Sequence, residues 1–257
     1  MNKDLSVISI VTWNRKDSLQ KVLDSIFEHT LGKYQIYITD NGSTDGTVDY
    51  LKEVSKKHSV DVLYLRENLG IAKARNAHWH KCVGYDVVRM DDDIVIETND
   101  WFNIYRDVAY RYHAFTGRLP ESAVAYLDGN INDDLIFADS MKDAEHSIFS
   151  VSGQLMFIPK DSIYSIGYWN ENYGMSGFED IDYALKGAML GYTQIFVNTV
   201  KTKHLFKTSN ICGEEDKRWN ILGGSLGIFH HNLESRADEL STTIRFNLPT
   251  NKTVSVE

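Results

Sequence analysis

Cysteine is nearly missing. Cys82 and Cys212 are the only two in 257 residues, which leaves no disulfide framework and no Cys-x-x-Cys metal spacing, and suits a reducing compartment such as the cytoplasm. Long apolar runs are missing as well. No stretch approaches the roughly 20 residues needed to cross a bilayer, so no transmembrane segment is expected. Residues 7–13 are too short for a signal-peptide core and have the alternating, β-rich character of a first strand. Basic residues are outnumbered, 27 Lys and Arg against 36 Asp and Glu, for a net charge of -9. That balance excludes broad nonspecific binding to nucleic acid, whose affinity comes from Lys and Arg meeting phosphates, and leaves room only for a local basic patch. A phosphate ligand on so acidic a chain needs a source of positive charge, and a metal ion is the simplest one. Internal repeats and low-complexity segments are also absent.

What is present is an ordinary globular composition, 42% hydrophobic and 25% charged, on a chain long enough for one large α/β domain with a single core, with or without an appendage. Strand-like and helix-like segments alternate. "SVISIVTW" reads as a first strand, and "RKDSLQKVLDSIFEHT" follows with Leu19, Val22, Leu23, Ile26 and Phe27 at helical spacing. "YQIYIT" is a second strand. "DNGSTDGT" is a loop of turn formers in which either Asp45 or Thr47 caps a helix from Val48 onward. "VDVLYL" is a third strand, "ENLGIAKARNAHWHKCVG" a loop and helix stopping at Gly84, and "DVVRM" a central fourth strand.

Three consecutive carboxylates, Asp91, Asp92 and Asp93, follow that fourth strand. In open α/β sheets ligands bind beyond the carboxyl ends of the strands, where the loops from Thr12, Asp40, Asn68 and Asp91 converge. If extended backbone persists, Asp91 and Asp93 point one way and Asp92 the other. Like charges this close raise one another's pKa unless a cation or basic groups offset them. Hard oxygen ligands suit magnesium or manganese, which also bind diphosphate oxygens. The plain alternative is a solvated acidic turn.

The ordered set "SIVTWNR", "ITDNGSTDGT", "RENLGIAKARN" and "VRMDDDIV" resembles the nucleotide-sugar-binding half of GT-A glycosyltransferases, specifically the large inverting family 2. The block from 151 to 192, containing "SGFEDIDYALKG", resembles the family's acceptor-side segment, in which a Glu-Asp pair opens a helix. The resemblance covers residues 5 to about 204. It implies a GT-A, Rossmann-like α/β fold, a mostly parallel sheet flanked by helices, with a small C-terminal helical extension. The implied division is a catalytic domain over 1–207, split into a nucleotide-sugar half (1–100) and an acceptor half (101–207), followed by an extension over 208–257.

The resemblance also implies roles. Asp40 matches the carboxylate that accepts the base N–H, which favours uracil, and Thr12 and Asn14 line the same pocket. Arg75 matches an arginine beside the nucleotide. Asp93 is the direct metal ligand, with Asp91 or Asp92 toward ribose or metal. His204, in "KTKHLF", falls where relatives place a metal-binding histidine, and nitrogen ligation favours Mn2+ over Mg2+. Asp180 takes the role of general base, ahead of Glu179 and Asp182. Each residue also has a purely structural reading. Asp40 is a turn former, Arg75 a solvated helix residue and His204 a surface histidine. Ser176 and Glu179 form an S-x-x-E capping box, and Asp180 stabilises the helix dipole, away from an apolar face of Phe178, Ile181, Ala184, Leu185, Ala188 and Met189.

The expected function is transfer of a sugar from a UDP-sugar to an acceptor hydroxyl with inversion. The acceptor is a glycan, a glycoconjugate or another hydroxyl compound, and the acidic charge disfavours nucleic acid. Two alternatives belong to other classes. A nucleotide-sugar-forming nucleotidyltransferase calls for a glycine-rich loop after the first strand, where this chain has "TWNRKDS". A non-catalytic nucleotide-sugar-binding protein needs neither Asp93 nor Asp180 intact. Pairs such as His78 with His80, and His230 with His231, do not share a helix face.

Overall fold

The strand β1 (Leu5–Thr12) is buried along most of its length, as its Val and Ile residues, interrupted only by the small Ser9, require. It pairs in parallel with β2 (Lys33–Asp40) on one side and β4 (Asp86–Asp91) on the other, and β2 pairs in parallel with β3 (Val60–Tyr64). Beyond β4 come β8 (Leu155–Ile158), β6 (Ala114–Gly117), β9 (Thr193–Val197) and β7 (Leu135–Phe137). The sheet order among the described residues is β3-β2-β1-β4-β8-β6-β9-β7. The pairs β4–β8, β6–β8 and β7–β9 are antiparallel, while β6–β9 is parallel. A separate antiparallel ribbon pairs β5 (Ile94–Ile96) with β10 (Thr202–His204). This computed structural model describes residues 5–119, 133–138, 151 and 154–205. The expected extension over 208–257 lies outside them, as do Cys212, His230 and His231.

Helices cover both faces of this mostly parallel sheet. On one face α1 (Lys16–His29), α2 (Thr47–Val54) and α4 (Trp101–Tyr112) pack against Ile8, Ile10, Ile36, Ile38, Val88 and Met90. Leu19, Val22, Leu23 and Ile26 of α1 are all fully buried, as the helical period requires. Each such side chain contributes about 1.5–3 kcal/mol of burial. The first turn of α1 has no side-chain cap of its own. Its Lys16 N–H donates instead to Asp45 Oδ2 at 3.2 Å, while Asp45 Oδ1 accepts from the Thr47 N–H at 3.1 Å; the cap position of α2 is Gly46, at φ +92°, rather than the expected Asp45 or Thr47.

On the other face lie α3 (Ile71–Trp79), α5 (Lys160–Ile166) and α6 (Glu179–Met189), around Val7, Val87, Met156 and Ile158. Trp169 stacks on Tyr183 at 4.0 Å, and Trp79 meets both rings edge-on. Two glycines permit close approach here. A Cβ on Gly70, whose φ is +87°, would lie 2.2 Å from the Gly174 carbonyl oxygen, and one on Gly187 would lie 2.6 Å from Phe115. Ile71 N–H donates to Met175 O at 3.0 Å, so the start of α3 is clamped to the loop that leads into α6.

Candidate active site

The chain leaves β1 toward β2 on one side, whereas β4, reached through α3, lies on the other. The carboxyl ends of β1 and β4 therefore flank a topological switch point, the usual crevice of such sheets. Register puts Thr12 beside Asp40 and Val11 beside Asp91. Asp40 is buried, its Oδ2 accepts from the Ser43 N–H at 3.1 Å, and its Oδ1 has no hydrogen-bond partner among the described residues. Asn14, at φ +52°, accepts from the Thr44 N–H at 2.7 Å, and its own N–H donates to Ser43 Oγ. It ties the loop after β1 to the loop after β2.

The three aspartates divide differently from the alternation expected of an extended strand. β4 ends at Asp91 and the chain turns at Asp92 and Asp93 before β5. Asp91 pairs with Arg89 Nη2 at 2.9 Å, two residues back on the same strand face. Asp92 and Asp93, one residue apart, instead share Arg15 Nη1, at 3.2 and 2.5 Å. Asp92 also accepts the Thr12 hydroxyl at 2.7 Å, and its backbone carbonyl accepts Ser18 Oγ at 2.6 Å. Thr12 is thus engaged with Asp92. Burial pushes Asp92 up to about 7, against the pull of Arg15 and the Thr12 hydroxyl. Burial also pushes Asp91 up to about 6, tempered by Arg89. Asp92 and Asp93 hold the Arg15 guanidinium charged more firmly than usual, outweighing the opposing effect of its own burial.

His204 reaches the same turn through the β5–β10 ribbon, which pairs His204 with Ile94 and lets Leu205 N–H donate to Asp93 O at 2.9 Å. Its Nε2 lies 3.5 Å from Asp93 Oδ2, and its Nδ1 lies 3.3 Å from Gln154 Nε2. Among the described residues no three His, Cys, Asp or Glu side chains converge closely enough to hold a metal ion. Asp91, turned to Arg89, does not complete a triple with Asp93 and His204. The donor chemistry nevertheless fits a divalent cation at these two residues. Asp93 Oδ1 is buried without a hydrogen-bond partner among the described residues, and a carboxylate beside an imidazole would suit manganese.

Opposite this turn, Arg75 of α3 is buried rather than solvated. Its guanidinium lies 4.2 Å from the centre of the Trp169 ring, and Nη1 faces Glu179 Oε1 at 3.9 Å. Burial, with Arg89 nearby, lowers Arg75 to about 9. Burial, with Asp180 beside it, raises Glu179, and Arg75 opposes that shift. The expected capping box does not form. The cap position is Phe178, in the left-handed region at φ +65°, and Glu179 Oε2 accepts from Gly177 N–H at 2.8 Å. The buried face of α6 also differs from the expected one. Glu179, Asp182, Tyr183, Ala184 and Gly187 turn inward, while Ile181, Leu185, Ala188 and Met189 are only half-buried. Tyr183 and Gly187 dictate this rotation, because the Trp169–Tyr183 stack and the Phe115 contact need that face. Asp180, in the first turn, is half-buried and accepts the Ile181 N–H at 2.8 Å through one oxygen.

Arg15, Arg89 and Trp169 were not among the expected site residues. Arg89 carries a readable signal, since a charge inside an apolar central strand demands a partner. Trp169 carries none, because its role depends on a stack with residues of two other elements. Near His204 in sequence, Lys201 donates to Asn198 O at 2.8 Å and Lys203 is exposed.

Residues 7–125 match the family described as Glycosyl transferase family 2. The chain is 32% identical over 90 residues to the TuaG protein of Bacillus subtilis, assigned as a teichuronic acid biosynthesis glycosyltransferase, covering 34% of this chain and 36% of that one. It is 30% identical over 106 residues to the glycosyltransferase GlyA of Streptococcus pneumoniae, covering 41% of this chain and 15% of the relative. The chain therefore spans well under half the length of these relatives. Among solved structures it resembles a mannosyltransferase of Pyrobaculum calidifontis in complex with GDP-Man and Mn2+, with a TM-score of 0.60 and 18% identity over 75% of this chain and 54% of that one. It also resembles GalNAc-T7 with UDP, GalNAc and Mn2+, with a TM-score of 0.60 and 15% identity over 81% of this chain and 44% of that one. No helix among the described residues is long and apolar enough to cross a membrane. With its switch-point carboxylates and its sheet order, the chain has the GT-A fold, and its residues 7–125 match glycosyl transferase family 2.

Proposed function

We propose that the protein is a glycosyltransferase that moves a sugar from a nucleotide-diphosphate sugar, a UDP-sugar, to an acceptor hydroxyl with inversion. The observation that carries this reading is the pair of buried, unpartnered carboxylate oxygens, Asp40 Oδ1 and Asp93 Oδ1, on loops flanking one crevice. An orphaned buried carboxylate oxygen costs about 1–3 kcal/mol or more, and a ligand N–H or a cation relieves that cost. Asp40 suits the N–H of a uracil base. Asp93 and His204 suit a divalent cation, Mn2+ or Mg2+. When bound, that ion offsets the charge growing on the departing diphosphate, so no protein acid is needed there.

The residues of the chain supply the rest. Arg75, clamped between Trp169 and Glu179, places a fixed positive charge beside the nucleotide. Asp180 takes the proton from the acceptor hydroxyl while the acceptor oxygen forms its bond to the anomeric carbon. The bond from that carbon to the diphosphate oxygen breaks on the opposite face, which inverts the centre. Phe178 in the left-handed region and Gly177 at φ +110° hold the Glu-Asp pair in place from outside the helix.

A nucleotidyltransferase would use the loop after β1 to cradle phosphates. Here that loop has no glycine and Asn14 ties it to Thr44, which favours the transferase reading. The test is calorimetric titration of UDP and GDP with Mn2+ present and then with chelator, repeated on Asp93→Ala. Tight binding of UDP over GDP that needs both metal and Asp93 is expected. Binding indifferent to metal and to Asp93 would overturn the donor assignment.

A further inference from the structure

The turn at Asp91–Asp93 already holds cations of its own, and they are not alike. Arg89 is buried, lies on the same strand as its partner and is fixed by it. Arg15 comes from a loop, and its side chain keeps 20% of its surface exposed. Its Nη1 spans two carboxylates, Asp92 Oδ1 at 3.2 Å and Asp93 Oδ2 at 2.5 Å. The Asp93 oxygen it holds is the one that His204 Nε2 approaches at 3.5 Å. A divalent ion held by Asp93 and His204 would share the Asp93 carboxylate with the guanidinium. Two cations so placed in a half-buried site repel strongly, because little water screens them. Arg15 has a second seat. Asp92 is anchored by the Thr12 hydroxyl and, through its backbone, by Ser18, so it keeps its place when Asp93 is given up.

We propose that Arg15 is a resident counter-ion of the metal position: it holds Asp93 while no metal is bound, and yields it, staying on Asp92, when a divalent cation arrives with the diphosphate. This rests on the donor-site reading above and adds a consequence to it. Metal alone must displace Arg15 and binds weakly. Metal accompanied by a diphosphate brings negative charge that receives the released guanidinium, and binds well. Arg15 thereby links metal affinity to nucleotide occupancy, which keeps the acidic turn folded without trapping ions unproductively.

The test uses the full chain, stripped with chelator and titrated with Mn2+ without nucleotide, free Mn2+ being followed by its paramagnetic resonance signal. Arg15→Met is expected to bind Mn2+ about tenfold more tightly than the wild type, a change of one decade in affinity. The gain that UDP gives to Mn2+ binding is expected to shrink in the same variant. Arg15→Lys, which keeps the charge, is expected to stay near the wild type. A merely structural role would weaken Mn2+ binding on substitution, not strengthen it. A second measurement needs no loss of the side chain: nitrogen resonances of the Arg15 guanidinium, assigned with Arg15→Lys, are expected to shift when magnesium and UDP are added to the wild type. Arg15→Met binding Mn2+ no more tightly than a wild type that still shows metal-dependent UDP binding would overturn the counter-ion proposal alone. Failure of the wild type and every variant to bind Mn2+, with or without UDP, would overturn the donor-site reading and this proposal together.

Discussion

At the end of β4, three adjacent carboxylates are met at 2.5–3.2 Å by two arginines, whereas at the start of α6 one of two adjacent carboxylates, Glu179, faces one arginine at 3.9 Å. The first cluster is locked by charge-assisted contacts that fix each side chain before any ligand arrives. The second is divided. Glu179 is buried against Arg75 and the Gly177 N–H, while Asp180, its neighbour, stays half-buried with only a local backbone bond. A group that grips charge profits from being held rigid. A group that must take up a proton profits from having no fixed cation, because a tight ion pair would make it a weaker base. For the proposed reaction, this difference would suit the turn to holding the diphosphate and the helix start to the proton transfer.

The largest effect tests that separation directly. Asp180→Asn is expected to lower sugar transfer about a thousandfold, the scale of a lost general base, with UDP and Mn2+ binding unchanged by calorimetry. Transfer at the wild-type rate would remove the distinction between the two clusters. Next comes Arg75→Met, which leaves Glu179 buried without its cation and removes the stack on Trp169. It is expected to cost about 3 kcal/mol in urea unfolding. Glu179→Gln should cost less, because Arg75 keeps Trp169, and the double variant should cost less than the two single changes added together. Strict additivity would show that the 3.9 Å pair carries no coupling. Asp93→Ala is a smaller change, expected to weaken metal-dependent UDP binding about 30-fold, near 2 kcal/mol, with little loss of fold because Arg15 keeps Asp92.

How much of this was readable in the residues depends on distance along the chain. The strands from β1 to β4, the turn at Asp40 and the opening of α6 at Glu179 follow from local pattern, and the sheet topology brings their loops together. The nearness of His204 to Asp93 was readable only through the family spacing, since it depends on the β5–β10 ribbon, which joins segments over a hundred residues apart. The partners that neutralise the site were not read. Arg15 lies 77 residues from Asp92, and Arg75 stacks on a tryptophan from another segment. The buried face of α6 was misjudged for the same reason. Apolar spacing favoured Ile181, Leu185 and Met189, but the shape of the aromatic core favoured Tyr183 and Gly187, and packing overrode pattern.

The smallest expected effect carries the comparison down α3, from a helix position paired with a carboxylate to one where burial dominates. Arg75 sits opposite Glu179, whereas His78, three residues on, is buried with Thr39 Oγ1 at 3.3 Å from its Nδ1 and a tilted Tyr37 ring nearby. Burial, with Lys81 adding to it, lowers His78 to about 4, below the usual 6.5. A histidine whose folded pKa is depressed contributes stability that is present above 6.5 and lost as pH falls from 6.5 toward 4, because the unfolded chain binds the proton first. Urea unfolding should therefore lose on the order of 1–2 kcal/mol from this residue between pH 7 and pH 5. His78→Gln keeps a polar group beside Thr39 and removes the titration, so its stability should be flatter over that interval. An equal acid loss in the variant would assign the effect to the carboxylates. Arg75 keeps its charge throughout the same interval because its pKa of about 9 lies above it, so Arg75→Met should lower stability by a similar amount at both pH values.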